Sequence, residues 1–252
     1  MNLASWKILL PALSSVLLMG ASSANDLPDP PPCNSCFIGK LLLKDNPADL
    51  SGTTKLLGED LYFVDSDNFV WKAGKGDTTD GATIPDLLKP FVGESFEPDF
   101  LPAAVIHDHY THRAHRVRSW RDTARVFYQA MLVNNVNIVK AKTMYFAVYA
   151  FGPHWGVLAK GVPCGKNCVF TAPVQLSASA GGRVVTSAPI TLADGKVYAE
   201  EGANFSTDHS SELKQVEQKI KLSELRGTPL SLKDLEFLAA LSHGENVFLV
   251  SE

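Results

Sequence analysis

An α+β domain is the fold class this sequence predicts: a β-hairpin region and a Gly-rich loop followed by a three-helix segment, with a small C-terminal appendage. Three observations predict it. Leu61-Tyr62-Phe63-Val64 and Phe69-Val70-Trp71 flank the polar run Asp65-Ser66-Asp67-Asn68, the pattern of two strands joined by a four-residue turn. Residues 74–85 carry three glycines and paired threonines, which disfavour regular structure and suit an ordered loop. Between residues 100 and 151, apolar side chains recur at helical spacing in three segments.

Taken in order, the chain of 252 residues opens on Lys7, the apolar run Ile8 to Met19 and the small-residue site Ala21-Ser22-Ser23-Ala24. Residues 1–24 therefore read as a secretory signal peptide cut after Ala24. The rival reading is an uncleaved anchor, for which the run is short. The expected location is secreted or periplasmic, with no integral membrane anchor. Residues 25–36 form a Pro- and Asp-rich lead ending in the pair Cys33-x-x-Cys36. The main domain spans 37–170, and 171–252 is the appendage.

Four cysteines, Cys33, Cys36, Cys164 and Cys168, are an even count in an exported chain and argue for disulfides of undetermined connectivity. A bridge between the two clusters would close a long loop and add about 4–5 kcal/mol in the chain-entropy model. A four-thiolate zinc site is the rival.

Within the main domain, Phe37 to Leu43 is an apolar strand candidate or a short helix. The Asp65–Asn68 turn resembles a calcium loop only superficially, because the following Gly and the distant Glu are missing. The first helix is expected over roughly 100–115, with Asp99 as N-cap and Pro102 in the first turn. The second starts after Ser119 and presents Trp120, Ala124, Phe127 and Met131, with Asp122 placed as a capping-box partner. The third runs from Ile138 to Phe151, with Ala141, Met144, Tyr145 and Val148 inward and Gly152-Pro153 as its stop. In the appendage, short strands are expected near Arg183 to Val185, and Leu213–Leu225 and Leu232–Leu241 read as amphipathic helices.

A net charge of −4 gives no support to nucleic-acid binding, which needs a basic face. The local exception is Arg113, Arg116, Arg118, Arg121 and Arg125, either a phosphate or acidic-polymer contact or, by default, a solvated helix face.

Chemistry concentrates at Ala103-Ala104-Val105-Ile106-His107-Asp108-His109-Tyr110. An imidazole beside a carboxylate pairs a proton acceptor with a potential metal ligand, and successive helical residues point about 100° apart, so both reach the rim of one cleft. The bland alternative is a satisfied core histidine beside a solvated aspartate. Were the Gly-rich loop to bring carbonyl oxygens and Asp80 near Asp108, the result would be an oxygen-rich site suited to Ca²⁺; otherwise Asp80 simply caps a turn. A zinc hydrolase is a further alternative. Asp108, His112 and His115 at i, i+4 and i+7 would share one helix face and hold Zn²⁺ for cleavage of cell-wall or phosphate bonds.

Thr79-Asp80-Gly81-Ala82-Thr83-Ile84-Pro85, Ala103-Ala104-x-x-His107-Asp108-x-x-Thr111, Arg121-Asp122-x-x-x-x-Phe127, Met144-Tyr145-x-Ala147-Val148 and Phe151-Gly152 follow one another in the order found in the domain of unknown function 1353 family. The resemblance covers about residues 60–155 and implies relatives rather than an activity. A looser resemblance is to the phospholipase A2 enzymes. It implies that His107 is the general base for the attacking water and that Asp108 holds Ca²⁺ with Asp80 and loop carbonyls, Gly81 among them. Asp122 would then fix the tautomer of His107. Near pH 7 a neutral imidazole takes the proton, and a hard cation steadies the oxyanion. This chain departs from the secreted animal type in lacking cysteines beside the His-Asp pair, and Thr111 stands where a Tyr is expected, with Tyr110 one residue away. The function this implies is an exported hydrolase acting on a phospholipid or another ester. The alternative from another class is a non-enzymatic module of an exported or phage-related assembly, in which the His-Asp motif fixes helix packing through buried hydrogen bonds.

Overall fold

Short alternating segments separated by turn residues build the first part of the chain into two small antiparallel sheets. A computed structural model describes residues 31–81, 97–112, 115–155, 190–191, 197–198, 200–201 and 209–243. The expected signal segment, Cys164, Cys168, Arg113 and the strand near Arg183 lie outside the described residues. Six strands come first: β1 Cys36–Ile38, β2 Leu43–Asp45, β3 Lys55–Leu57, β4 Leu61–Val64, β5 Val70–Ala73 and β6 Thr78–Thr79. One sheet has the order β1-β4-β5 and the other β2-β3-β6.

The hairpin β4–β5 pairs Phe63 with Trp71 and Val64 with Val70. Its turn is organised by the buried Asp65. That carboxylate accepts the backbone N–H of Asp67 and of Phe69, each at 2.9 Å, and the indole Nε1–H of Trp71 at 2.8 Å. Asn68 takes a left-handed φ of 62°, which Asn tolerates. The continuous strand expected over Phe37 to Leu43 is instead broken into β1 and β2. Gly39 turns the chain with φ +94°, and a Cβ there would meet the Asp60 carbonyl oxygen at 2.7 Å. Cys33 and Cys36 are bonded to each other. The expected bridge between clusters, and a zinc site built from all four thiolates, are therefore not formed by this pair, since both sulfurs are consumed locally.

Three helices follow: α1 Leu101–Thr111, α2 Trp120–Val133 and α3 Ile138–Phe151. α1 starts at Phe100 rather than on an Asp99 cap, with no side-chain cap bond. The Asp99 carboxylate is drawn to Lys140 Nζ at 3.1 Å, and Phe100 is fully buried. α1 ends at Thr111, short of the expected 115. Ser119 caps α2, accepting the Asp122 N–H at 3.0 Å, and Asn137 caps α3. Ala103 and Ala104, both buried, let α1 lie close to its neighbours, and His107 reaches Phe127 of α2 at a ring separation of 5.0 Å.

The arginines after α1 do not form a solvated face. Arg116 and Arg118 are buried. Arg116 stacks on Trp155 at 4.6 Å and Arg118 on Trp71 at 4.4 Å, because indole faces accept a desolvated guanidinium. Arg125 pairs with Glu236 at 3.0 Å.

Beyond α3, β7 His154–Trp155 pairs with β10 Glu200–Glu201, and β8 Ile190–Thr191 with β9 Val197–Tyr198. Two amphipathic helices, α4 Ser210–Leu225 and α5 Leu232–His243, form where the sequence predicts them. Leu213, Val216, Ile220, Leu235 and Ala239 bury their side chains in the same core as α1–α3. Tyr145 donates to Glu236 at 2.7 Å and Lys142 pairs with Glu224 at 2.5 Å, so polar as well as apolar contacts join the C-terminal helices to α3. Among the described residues, no helix is long and apolar enough to cross a membrane.

Candidate functional site

The last two turns of α1 meet the loop that ends in β6, and two polar clusters form at that junction. In the first, Thr79 Oγ1 donates to Asp108 Oδ2 at 2.6 Å and accepts the Gly81 N–H at 3.1 Å. Gly81 has φ +77°, a conformation glycine reaches without steric cost. It lets the chain curl back so that one threonine hydroxyl serves both the helix and the loop. His107 Nδ1 lies 3.9 Å from Asp108 Oδ1, and the two side chains are 14% and 20% exposed. Among the described residues no backbone group holds either ring nitrogen of His107.

Burial pushes the Asp108 carboxyl above its ordinary value. The adjacent Asp80 charge adds to the effect, while the facing His107 and the Thr79 hydroxyl work against it. Two carboxylates repelling one another in a poorly hydrated spot are a setting that a divalent cation relieves. The oxygens gathered at Asp108 are its own carboxylate and the Thr79 hydroxyl, the hard type of donor that a hard cation prefers.

One residue further along α1, the second cluster comprises Asp77, His109 and His115, each half-buried, with one potential ligand atom from each lying within 4.8 Å of the others. His109 Nδ1 is 2.6 Å from Asp77 Oδ2. The rings of His109 and His115 are stacked at 4.2 Å with an interplanar angle of 15°, and His112 stands 5.2 Å from His115. Burial opposes ionisation of Asp77, but the hydrogen bond and charge of His109, the Gly74 N–H and the charge of His115 outweigh it and hold the carboxyl below its ordinary value. Burial and the neighbouring His109 lower the basicity of His115.

The residues singled out in the sequence are thus only partly brought together. His107 and Asp108 face each other, and Thr79 links Asp108 to the Gly81 N–H; Asp80 is close enough for its charge to act on Asp108. Asp122 is held in the capping box, where Ser119 Oγ donates to Asp122 Oδ2 at 2.7 Å. Among the described residues, no hydrogen bond links it to His107. The zinc set Asp108, His112 and His115 does not assemble. α1 stops at Thr111 and His112 takes an extended ψ of 129°, so the shared helical face ends before His115. Asp77 and His109 take the places assigned to Asp108 and His112 in that set. The signal for Asp77 was the Gly-Lys-Gly-Asp run, which closes a tight turn with Asp77 N–H to Gly74 O at 3.0 Å and carries the carboxylate back toward α1.

Comparison with known proteins accords with this region being the common element. The family model described as Protein of unknown function (DUF1353) matches residues 56–148, which span β4, β5, both polar clusters and most of the three-helix segment. The chain is 38% identical over 211 residues to the uncharacterized protein y4iH of Sinorhizobium fredii (strain NBRC 101917 / NGR234), covering 83% of this chain and 79% of that protein. It is 36% identical over 133 residues to y4jT of the same organism, covering 53% of this chain and 37% of that one. No solved structure is significantly similar. With the motif order, the matched segment and an extended relative all agreeing, the chain belongs to the DUF1353 family of proteins of unknown function.

Proposed function

We propose that this protein is an exported hydrolase that cleaves esters at the His107–Asp108 site with the help of Ca²⁺, and that phospholipids are the substrate class it serves. The observation that carries the reading is the 2.6 Å hydrogen bond from Thr79 to Asp108. It fastens the loop bearing Asp80 and Gly81 against the helix bearing His107 and Asp108, and that proximity supports a shared site.

The chemistry follows from the residue types. A water beside His107 gives a proton to an imidazole nitrogen as its oxygen attacks the ester carbonyl carbon. The tetrahedral adduct collapses, the acyl–oxygen bond breaks, and the proton on His107 passes to the departing alkoxide. Asp108 faces the imidazole and stabilises its protonated form. A calcium ion held by Asp108, Asp80 and the Gly81 carbonyl would supply positive charge to the developing oxyanion. Asp122 remains in its helix cap.

Asp108→Asn tests this arrangement because it keeps the shape and removes the charge. Calcium affinity measured by titration calorimetry is expected to fall by about tenfold or more, with a parallel loss of calcium-stimulated ester hydrolysis. Unchanged affinity and unchanged hydrolysis would remove Asp108 from the site.

A further inference from the structure

We propose that Asp77, His109 and His115 form a second metal site, selective for a zinc-class divalent cation and separate from the oxygen-lined corner around Asp108. The three residues come from three local segments: the turn before β6, the last turn of α1, and the short turn after it in which His115 N–H bonds the His112 carbonyl at 2.8 Å. Converging two imidazoles and a carboxylate from separate segments onto a region 4.8 Å across is more than helical spacing alone supplies.

Ligand chemistry separates the two clusters. Imidazole nitrogens suit zinc and its first-row neighbours, whereas carboxylate and carbonyl oxygens suit calcium. Support around the ligands is in place too. The Gly74 N–H donates to Asp77 Oδ2 at 2.5 Å. The edge of Tyr110 meets His109 at 4.8 Å, and the Tyr110 hydroxyl is fixed by the Lys72 N–H at 3.0 Å. Such outer contacts orient ligands before the metal arrives. Three protein ligands leave a fourth position for water or for the nearby His112.

A cation here would tie the 74–77 turn to the end of α1 and so hold Thr79 in place beside Asp108. The proposal does not depend on the hydrolase reading, because zinc binding is measured without any substrate. The test uses the full chain without a histidine tag. Zinc titration calorimetry is expected to give one site per chain and a higher melting temperature. Co²⁺ is expected to bind with the visible absorption of a low-symmetry nitrogen–oxygen site. His115→Gln and His109→Ala should each weaken zinc binding beyond the roughly 10–100-fold that loss of a supporting group costs, while Asp108→Asn leaves it unchanged. No stoichiometric zinc or cobalt binding by the unaltered chain would overturn the proposal. So would full affinity in His115→Gln and His109→Ala, which would move the metal to other ligands. The cobalt spectrum keeps the test decisive even if a histidine variant folds poorly.

Discussion

His107→Ala is expected to lower ester hydrolysis by roughly 10²–10⁴-fold, the contribution of a positioned general base, while the fold survives. The imidazole packs at a tilt against Phe127, ring centres 5.0 Å apart, and its nitrogens serve no backbone group among the described residues. Truncation therefore removes some packing and, among the described residues, leaves no buried backbone group without a partner. A loss of about 1 kcal/mol shifts the melting temperature of a chain this size by roughly 2–4 °C. Steady-state hydrolysis and a thermal melt on the same preparation check both halves. If activity and folding disappear together, the His-Asp motif is structural and the chain is a binding module.

The largest effect on stability is expected at Asp65. Its carboxylate accepts two backbone N–H groups and the Trp71 indole. Asp65→Ala therefore leaves three donors unsatisfied in or beside the core, each worth about 1–3 kcal/mol when buried. Exposed backbone recovers water, so the net cost expected is roughly 2–5 kcal/mol. Trp71 emission should shift to longer wavelength as β5 loosens. Denaturant unfolding followed by tryptophan fluorescence measures both. A change below about 0.5 kcal/mol, typical of a surface position, would show that the turn holds without this residue.

Local chemistry explains what was legible in the sequence. Ser119 and Asn137 cap α2 and α3, and Gly152 ends α3 at the expected residue, because such signals act within one turn of the chain. The hairpin β4–β5 follows from two short apolar runs on either side of a polar turn. The Gly-rich loop returns to the helix that carries the histidine through Thr79, which bonds both Asp108 and the Gly81 N–H. What escaped is tertiary. Asp99 looks like a cap until Lys140, far along the chain, claims its carboxylate. Arg116 and Arg118 look solvated until Trp155 and Trp71 offer them ring faces. The pairing of Asp77 with His109 spans 32 residues and has no periodicity to announce it. Phe37 to Leu43 is apolar throughout, so only the positive φ of Gly39 shows that the run is two strands.

The most direct test is fatty-acid release from phosphatidylcholine–phosphatidylglycerol vesicles by the purified chain, followed in calcium and again after addition of a calcium-selective chelator. The account predicts release in calcium, its loss on chelation, and its absence in His107→Ala under both conditions. Release that persists in His107→Ala, or vesicles left intact by the unaltered chain in saturating calcium, would contradict it.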